Sequence, residues 1–190
     1  MKNLKSLFLF VFSFFVAASL FASEVKEMNR SNVTDKEANP NRVKTDSILN
    51  FKLGYGFVAG EGIDVGSGVA FGIGYRAEMD NFSLDVNLLD TTINWKDVTS
   101  MDMSIIKLGG GYFFLPLSNV SPYLGVNLSF GVTSIDEESQ WGLRGGVYTG
   151  MEFMRVSDVR FFIQADATLP FYTIYDHYYP TFAFSLGIGF

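Results

Sequence analysis

From residue 48 onward, large apolar residues alternate one by one with small or polar residues. That is the period of a strand with two unlike faces. The segment 181–190 shows it most cleanly. Phe182, Phe184, Leu186, Ile188 and Phe190 fall on one face; Thr181, Ala183, Ser185, Gly187 and Gly189 fall on the other. The same pattern predicts seven earlier strands. The first covers 48–58, with Leu49, Phe51, Leu53, Tyr55 and Phe57 on the apolar face. The second covers 67–79 and turns tightly at Asp80 and Asn81, residues suited to a short hairpin, into a third over 82–89. The fourth covers 103–115, and its adjacent Ile105 and Ile106 break the alternation and predict a bulge. The fifth covers 122–132, the sixth 141–154 and the seventh 159–169. The connections after strands one, three, five and seven read as long; those after two, four and six read as short.

The N-terminus sets the compartment. Lys2 and Lys5 precede an apolar run from Leu7 to Leu20, and the small residues Ala17, Ala18, Ser19 and Ala22 follow. This pattern predicts a secretory signal peptide over 1–22, cleaved after Ala22. The run is short for a bilayer-spanning helix, which needs about 20 residues. Residues 23–46 are polar, without aromatics, and predict a disordered periplasmic leader. The barrel itself is expected over 47–190.

Composition agrees with strands that face lipid. The chain carries 20 Phe, 9 Tyr and 19 Gly and no cysteine. An exported chain without disulfides needs another source of stability, and a closed ladder of backbone hydrogen bonds in lipid supplies one. An even number of strands is what a single-chain bacterial barrel requires. The fold class is therefore all-β, an eight-stranded antiparallel up-and-down transmembrane β-barrel, in the bacterial cell outer membrane. The net charge of −6 disfavours nucleic acid as a partner. Tyr55, Tyr75, Tyr112, Tyr123, Trp141 and Phe190 are expected in interfacial belts.

These features resemble the small eight-stranded outer-membrane β-barrel family that includes the OmpA transmembrane domain, OmpX and the opacity-type surface proteins. The resemblance spans about 48–190 and rests on strand pattern and on the terminal Phe190. It implies outer-membrane lipid as surroundings. It also implies that the barrel-assembly machinery reads the C-terminal strand, with Phe190 as its signal. It carries over no site residue.

On the inward parity lie Lys52, Arg76, Glu78, Asp85, Lys107, Arg144, Glu152, Arg160 and Asp166. An eight-stranded interior is only wide enough for side chains to fill it, so opposite charges there are expected to pair. Either the pairs close the lumen, or they line a narrow channel for small solutes or hydrophobic compounds. The inward glycines either leave gaps for water or relieve crowding. A soluble lipocalin-like binder would need the opposite parity, apolar inside.

Candidate chemistry is sparse. His177, the one histidine, stands beside Asp176 in the last connection, and Ser185 lies inward on the last strand. Nucleophilic catalysis needs nucleophile and base within hydrogen-bond reach, and the pattern of the lipid A-modifying barrels is not present. The chain is read as no enzyme, without cofactor or metal site. Asp136, Glu137 and Glu138 form an acidic connection without calcium-loop spacing. Another outer connection carries Trp95 and Lys96. The last connection gathers Phe171, Tyr172, Tyr175, His177, Tyr178 and Tyr179. Either these rings meet a host or surface ligand, or they pack on neighbouring loops. The expected role is structural or surface-interactive, in adhesion or host contact.

Overall fold

The computed structural model describes residues 46–60, 66–94, 100–155, 157 and 159–190. The alternating segments are strands: β1 (Asp46–Val58), β2 (Gly66–Met79), β3 (Phe82–Asn94), β4 (Ser100–Phe113), β5 (Val120–Ile135), β6 (Glu138–Phe153), β7 (Arg160–Pro170) and β8 (Thr181–Gly189). Each pairs antiparallel with the next, and β1 pairs with β8, so the sheet closes into an eight-stranded barrel. The expected signal peptide, the leader up to residue 45, and Trp95 and Lys96 lie outside the described residues.

Closure is knit by the last strand. Leu49 and Phe190 exchange backbone hydrogen bonds of 2.9 and 3.0 Å. The rings of Phe51 and Phe190 stack 5.8 Å apart across that seam, and those of Phe57 and Phe182 stack at 5.0 Å. The outer face is a continuous apolar belt that includes Leu53, Phe82, Leu88, Val126 and Leu186, each more than half exposed. Such a surface is stable in hydrocarbon and not in water.

Both ends of the barrel differ from the sequence expectation. β3, β5 and β6 run further than their alternation suggested, and β4 starts earlier, at Ser100. The connection between β5 and β6 is therefore only Asp136 and Glu137, with Asp136 at φ 52°. The expected long loop after strand five is instead a tight hairpin tip. Its residues kept pairing because hydrogen bonds between facing backbones do not require an apolar face. Loop length thus separates the two ends poorly. The start of β1 and the end of β8 separate them better: Asp46 and Phe190 both lie at the end that carries the Asp80–Asn81 turn, here called the turn end. The opposite end, with connection 171–180, is the loop end.

Two bulges lie side by side at mid-height. The β4–β5 register shifts between Ser104 and Ile106, where the sequence predicted it, so Ile105 and Ile106 both face outward. The β2–β3 register shifts between Ile73 and Gly74, which pair with Leu89 and Asn87, leaving Leu88 as the extra residue. Bulges bend strands and raise local twist. Here they also switch parity, which turns Asp90, Asp102 and Ser104 toward the interior.

The inward glycines make room for large inward side chains on the neighbouring strand. Gly125 pairs with Tyr148, Gly150 with Tyr123, Gly187 with Phe162 and Gly74 with Asn87. At Gly125 a Cβ would collide with the Tyr148 ring, and at Gly150 with that of Tyr123. The space left by each glycine is thus filled by its cross-strand partner.

Candidate functional site

The interior charges are stacked in tiers. At the turn end, Glu78 and Glu152 sit among Arg155 and Arg160, with Arg155 to Glu78 at 2.9 Å, Arg160 to Glu78 at 2.9 Å and Arg160 to Glu152 at 3.2 Å. Arg155 also donates to the Pro116 carbonyl and lies 3.7 Å from the centre of the Phe113 ring. Just above, Arg76 bridges Asp85 and Glu152. The rings of Phe113, Tyr123 and Phe162 stand 5.4, 5.1 and 5.9 Å from its guanidinium carbon. Tyr148 donates to Asp85 from the side, and Phe113, Tyr123, Tyr148 and Phe162 form one buried cluster. A guanidinium faced by aromatic rings gains cation–π attraction on top of its ion pairs.

Mid-height holds a chain of four. Lys52 pairs with Asp90 at 2.9 Å, Lys107 with Asp90 at 3.1 Å and Lys107 with Asp166 at 3.0 Å. Gln164 donates to Asp166 and accepts from the Tyr123 hydroxyl, joining this tier to the aromatic cluster.

Toward the loop end, Arg144 is fully buried and pairs with Asp102 and with the Ser104 hydroxyl. Thr133 donates to Asp102 at 2.8 Å and shares a 2.9 Å hydrogen bond with the Tyr172 hydroxyl. Tyr172 comes from the last connection and its ring covers Gly142. Burial raises its phenol above the ordinary value, against the pull of the Thr133 hydrogen bond and of Arg144. Above it, Val58, Ile135, Ile174 and Tyr179 form an apolar cap.

All nine interior positions read from the sequence point into the barrel, within these ion pairs. Three further members were not anticipated. Asp90 and Asp102 were hidden by the bulges, and Arg155 was read as a turn residue. The adjacent Ile105 and Ile106 were the one signal that could have recovered Asp102. Tyr123 is a correction: expected in the interfacial belt, it is 1% exposed inside the lumen. The alternation of its own strand already turns it inward, because Leu124, Val126, Leu128 and Phe130 face out, and Gly150 opposite leaves room for its ring. Tyr55, Tyr75, Tyr112, Trp141 and Phe190 do lie on the outer surface.

The last connection divides its candidates. Tyr175, Tyr178 and Phe171 are exposed, Phe171 lying against Gly145. His177 is exposed and closes a miniature hairpin with Ile174, whose central residues Tyr175 and Asp176 take φ of 50° and 63°. Tyr179 and Tyr172 are corrections to the idea of an exposed contact surface. Tyr179 is buried in the cap, and Tyr172 turns inward to Thr133. Among the described residues, every Lys and Arg is buried inside the barrel. The loop end exposes Asp136, Glu137, Glu138 and Asp176.

No sequence-family profile matches the chain, and no curated protein matches it. Among solved structures, the fold is similar to that of Neisserial surface protein A, with a TM-score of 0.66 and 18% identity over 76% of this chain and 97% of that one. It also matches Ail, the attachment invasion locus protein of Yersinia pestis, at 15% identity over 78% of this chain and 99% of that one, with a TM-score of 0.44. Ail in complex with the heparin analogue sucrose octasulfate matches at 15% identity, 78% and 100% coverage and a TM-score of 0.47. At these identities the likeness is one of fold: the chain has the architecture of the small eight-stranded outer-membrane barrels.

Proposed function

We propose that the chain is an integral outer-membrane protein with a closed lumen that works through its loop end, in adhesion or another surface contact. In this reading a cleaved signal peptide exports it and residues 23–46 form a periplasmic leader. The assembly machinery recognises β8 with Phe190, and the turn end faces the periplasm.

The side chains that fill the lumen support this reading. Arg76 among its rings, the Lys107 pairs and Arg144 beneath Tyr172 occupy the interior at three heights. An interior filled in this way leaves the surface as the place for function. At the loop end, Tyr175 and Tyr178 are half exposed beside carboxylates, a composition suited to apolar or basic partners and unsuited to polyanions. A non-enzymatic role agrees with the state of Ser185. Its hydroxyl is buried and hydrogen-bonds to no protein group, His177 included.

The test is retention of host cells by bacteria displaying the barrel, with the double variant Tyr175→Ser, Tyr178→Ser beside it. Loss of retention, with heat-modifiable gel mobility intact, is expected. Undiminished retention would remove these rings from the contact. Discrete openings of the refolded protein in a planar bilayer would overturn the closed lumen and favour a narrow channel.

A further inference from the structure

The connection 171–180 carries a turn that is held against its own preference. Ile174 and His177 exchange backbone hydrogen bonds of 3.0 Å each and close a two-residue hairpin. Its central residues, Tyr175 and Asp176, take φ of 50° and 63°. A hairpin turn with both central residues in the left-handed region favours Asn-Gly. Aspartate is tolerated there, but a bulky residue such as tyrosine is an outlier. Strain of this kind persists only where the surroundings over-determine it. A hairpin this short does not hold itself together in water.

The surroundings are aromatic rings seated on glycines. Phe171 lies on Gly145, Tyr172 on Gly142 and Tyr179 on Gly60, where an added Cβ would meet the ring at 2.6, 2.4 and 2.4 Å respectively. At the feet of the connection, the Phe171 N–H donates to the Leu143 carbonyl at 3.0 Å and the Ala59 N–H to the Pro180 carbonyl at 2.9 Å. Ile174 and Tyr179 pack with Val58 of β1 and Ile135 of β5. The seats therefore oppose the turn. They also divide the connection's apolar side chains. Tyr175 and Tyr178 are half exposed, whereas Ile174 and Tyr179 are each 3% exposed and Tyr172 is turned inward to Thr133.

We infer that the connection 171–180 is a spring-loaded strap: its turn favours release, its glycine seats oppose release, and release uncovers a latent contact face of Tyr172, Ile174 and Tyr179. This deepens the surface-contact reading above and rests on it for what the uncovered face meets, an apolar partner surface. A partner that grips those three side chains binds the released strap alone. It shifts the equilibrium toward release by that difference in affinity.

The first experiment reads amide exchange at Ile174 and His177 in the full barrel, refolded in nanodiscs with no partner present. Changing the turn pair, Tyr175→Asn with Asp176→Gly, should slow that exchange about tenfold, the factor carried by relief of one left-handed residue. Gly142→Ala fills the seat of Tyr172 and should speed it; Gly60→Ala fills the seat of Tyr179 and should act alike from the other foot. Exchange left as it was by the new turn pair, or not accelerated by either filled seat, overturns the strap. Retention of host cells then tests the face. Bacteria displaying Gly142→Ala should be retained more than those displaying the native barrel. Faster exchange without higher retention overturns the latent face. Undiminished retention with Tyr175→Ser, Tyr178→Ser overturns the part of the contact reading carried by those rings, and leaves the exchange result, measured without a partner, to judge the strap by itself.

Discussion

Arg76 and Arg144 are both buried arginines paired with carboxylates, yet they are held in different ways. Arg76 is enclosed by strand residues alone: Asp85 on β3, Glu152 on β6, and rings from β4, β5 and β7. Arg144 also has strand partners, Asp102 and Ser104 on β4, but its cover is Tyr172, a residue of the last connection. In the closed lumen proposed above, the turn-end seal is therefore part of the hydrogen-bonded sheet. The loop-end seal depends on a segment that crosses the barrel mouth. Strand residues are fixed by their ladder, whereas connection residues open at lower free-energy cost. The loop-end seal should be the softer one.

The strongest break in this comparison is Arg76→Ala. It leaves Asp85 and Glu152 buried without their shared cation, a loss of about 3–5 kcal/mol for a buried pair. Glu152 keeps Arg155 and Arg160, while Asp85 keeps only hydroxyl donors, Tyr148 and Ser83. The expected outcome is a large drop in the urea midpoint for folding into micelles, or failure to give a heat-modifiable band. Arg76→Lys should recover part of the loss, because the ammonium keeps charge but cannot bridge two carboxylates in one plane. Wild-type behaviour of the alanine variant would mean that the aromatic cluster alone makes the seal.

Arg144→Ala should cost less. Asp102 retains the Thr133 hydroxyl and its side chain is 10% exposed, more than either partner of Arg76. A loss of roughly 1.5–3 kcal/mol, the range for hydrogen bonds to charged groups, is expected in the same unfolding experiment. A cost equal to that of Arg76→Ala would show that the two seals are equally rigid.

The two seals were not equally legible in the sequence. Alternation placed Arg76, Asp85, Glu152 and Arg160 inside because the strands at the turn end keep strict parity. Nearer the loop end, the bulges at Leu88 and Ile105 reset parity, and Asp90 and Asp102 crossed to the interior unannounced. Tyr179 shows a second limit. Its burial depends on a cap built with Val58 and Ile135 from other strands, which no local period contains. Tyr123 was legible by contrast, because it lies on the inward parity of β5. Fold class, strand number and the inward charge set follow from local period. Partner identity follows from register, which one strand at a time does not reveal.

The smallest change is the sharpest test of the softer seal. Tyr172→Phe keeps the ring over Gly142 and removes only the hydroxyl that meets Thr133. Thr133 still donates to Asp102, so no charged group is left bare. Global stability should fall by about 0.5–1.5 kcal/mol, the net worth of one hydrogen bond. If the connection is what holds the loop end shut, local opening should rise more than global unfolding does. Amide exchange at 131–135 and 140–144 should then speed up, while exchange around Arg76 and Tyr123 stays unchanged. Equal acceleration at both ends would mean that the barrel opens as one unit and that Tyr172 is packing without a sealing role. Acceleration confined to the loop end would identify the Tyr172–Thr133 contact as the hinge of the lumen's weaker closure.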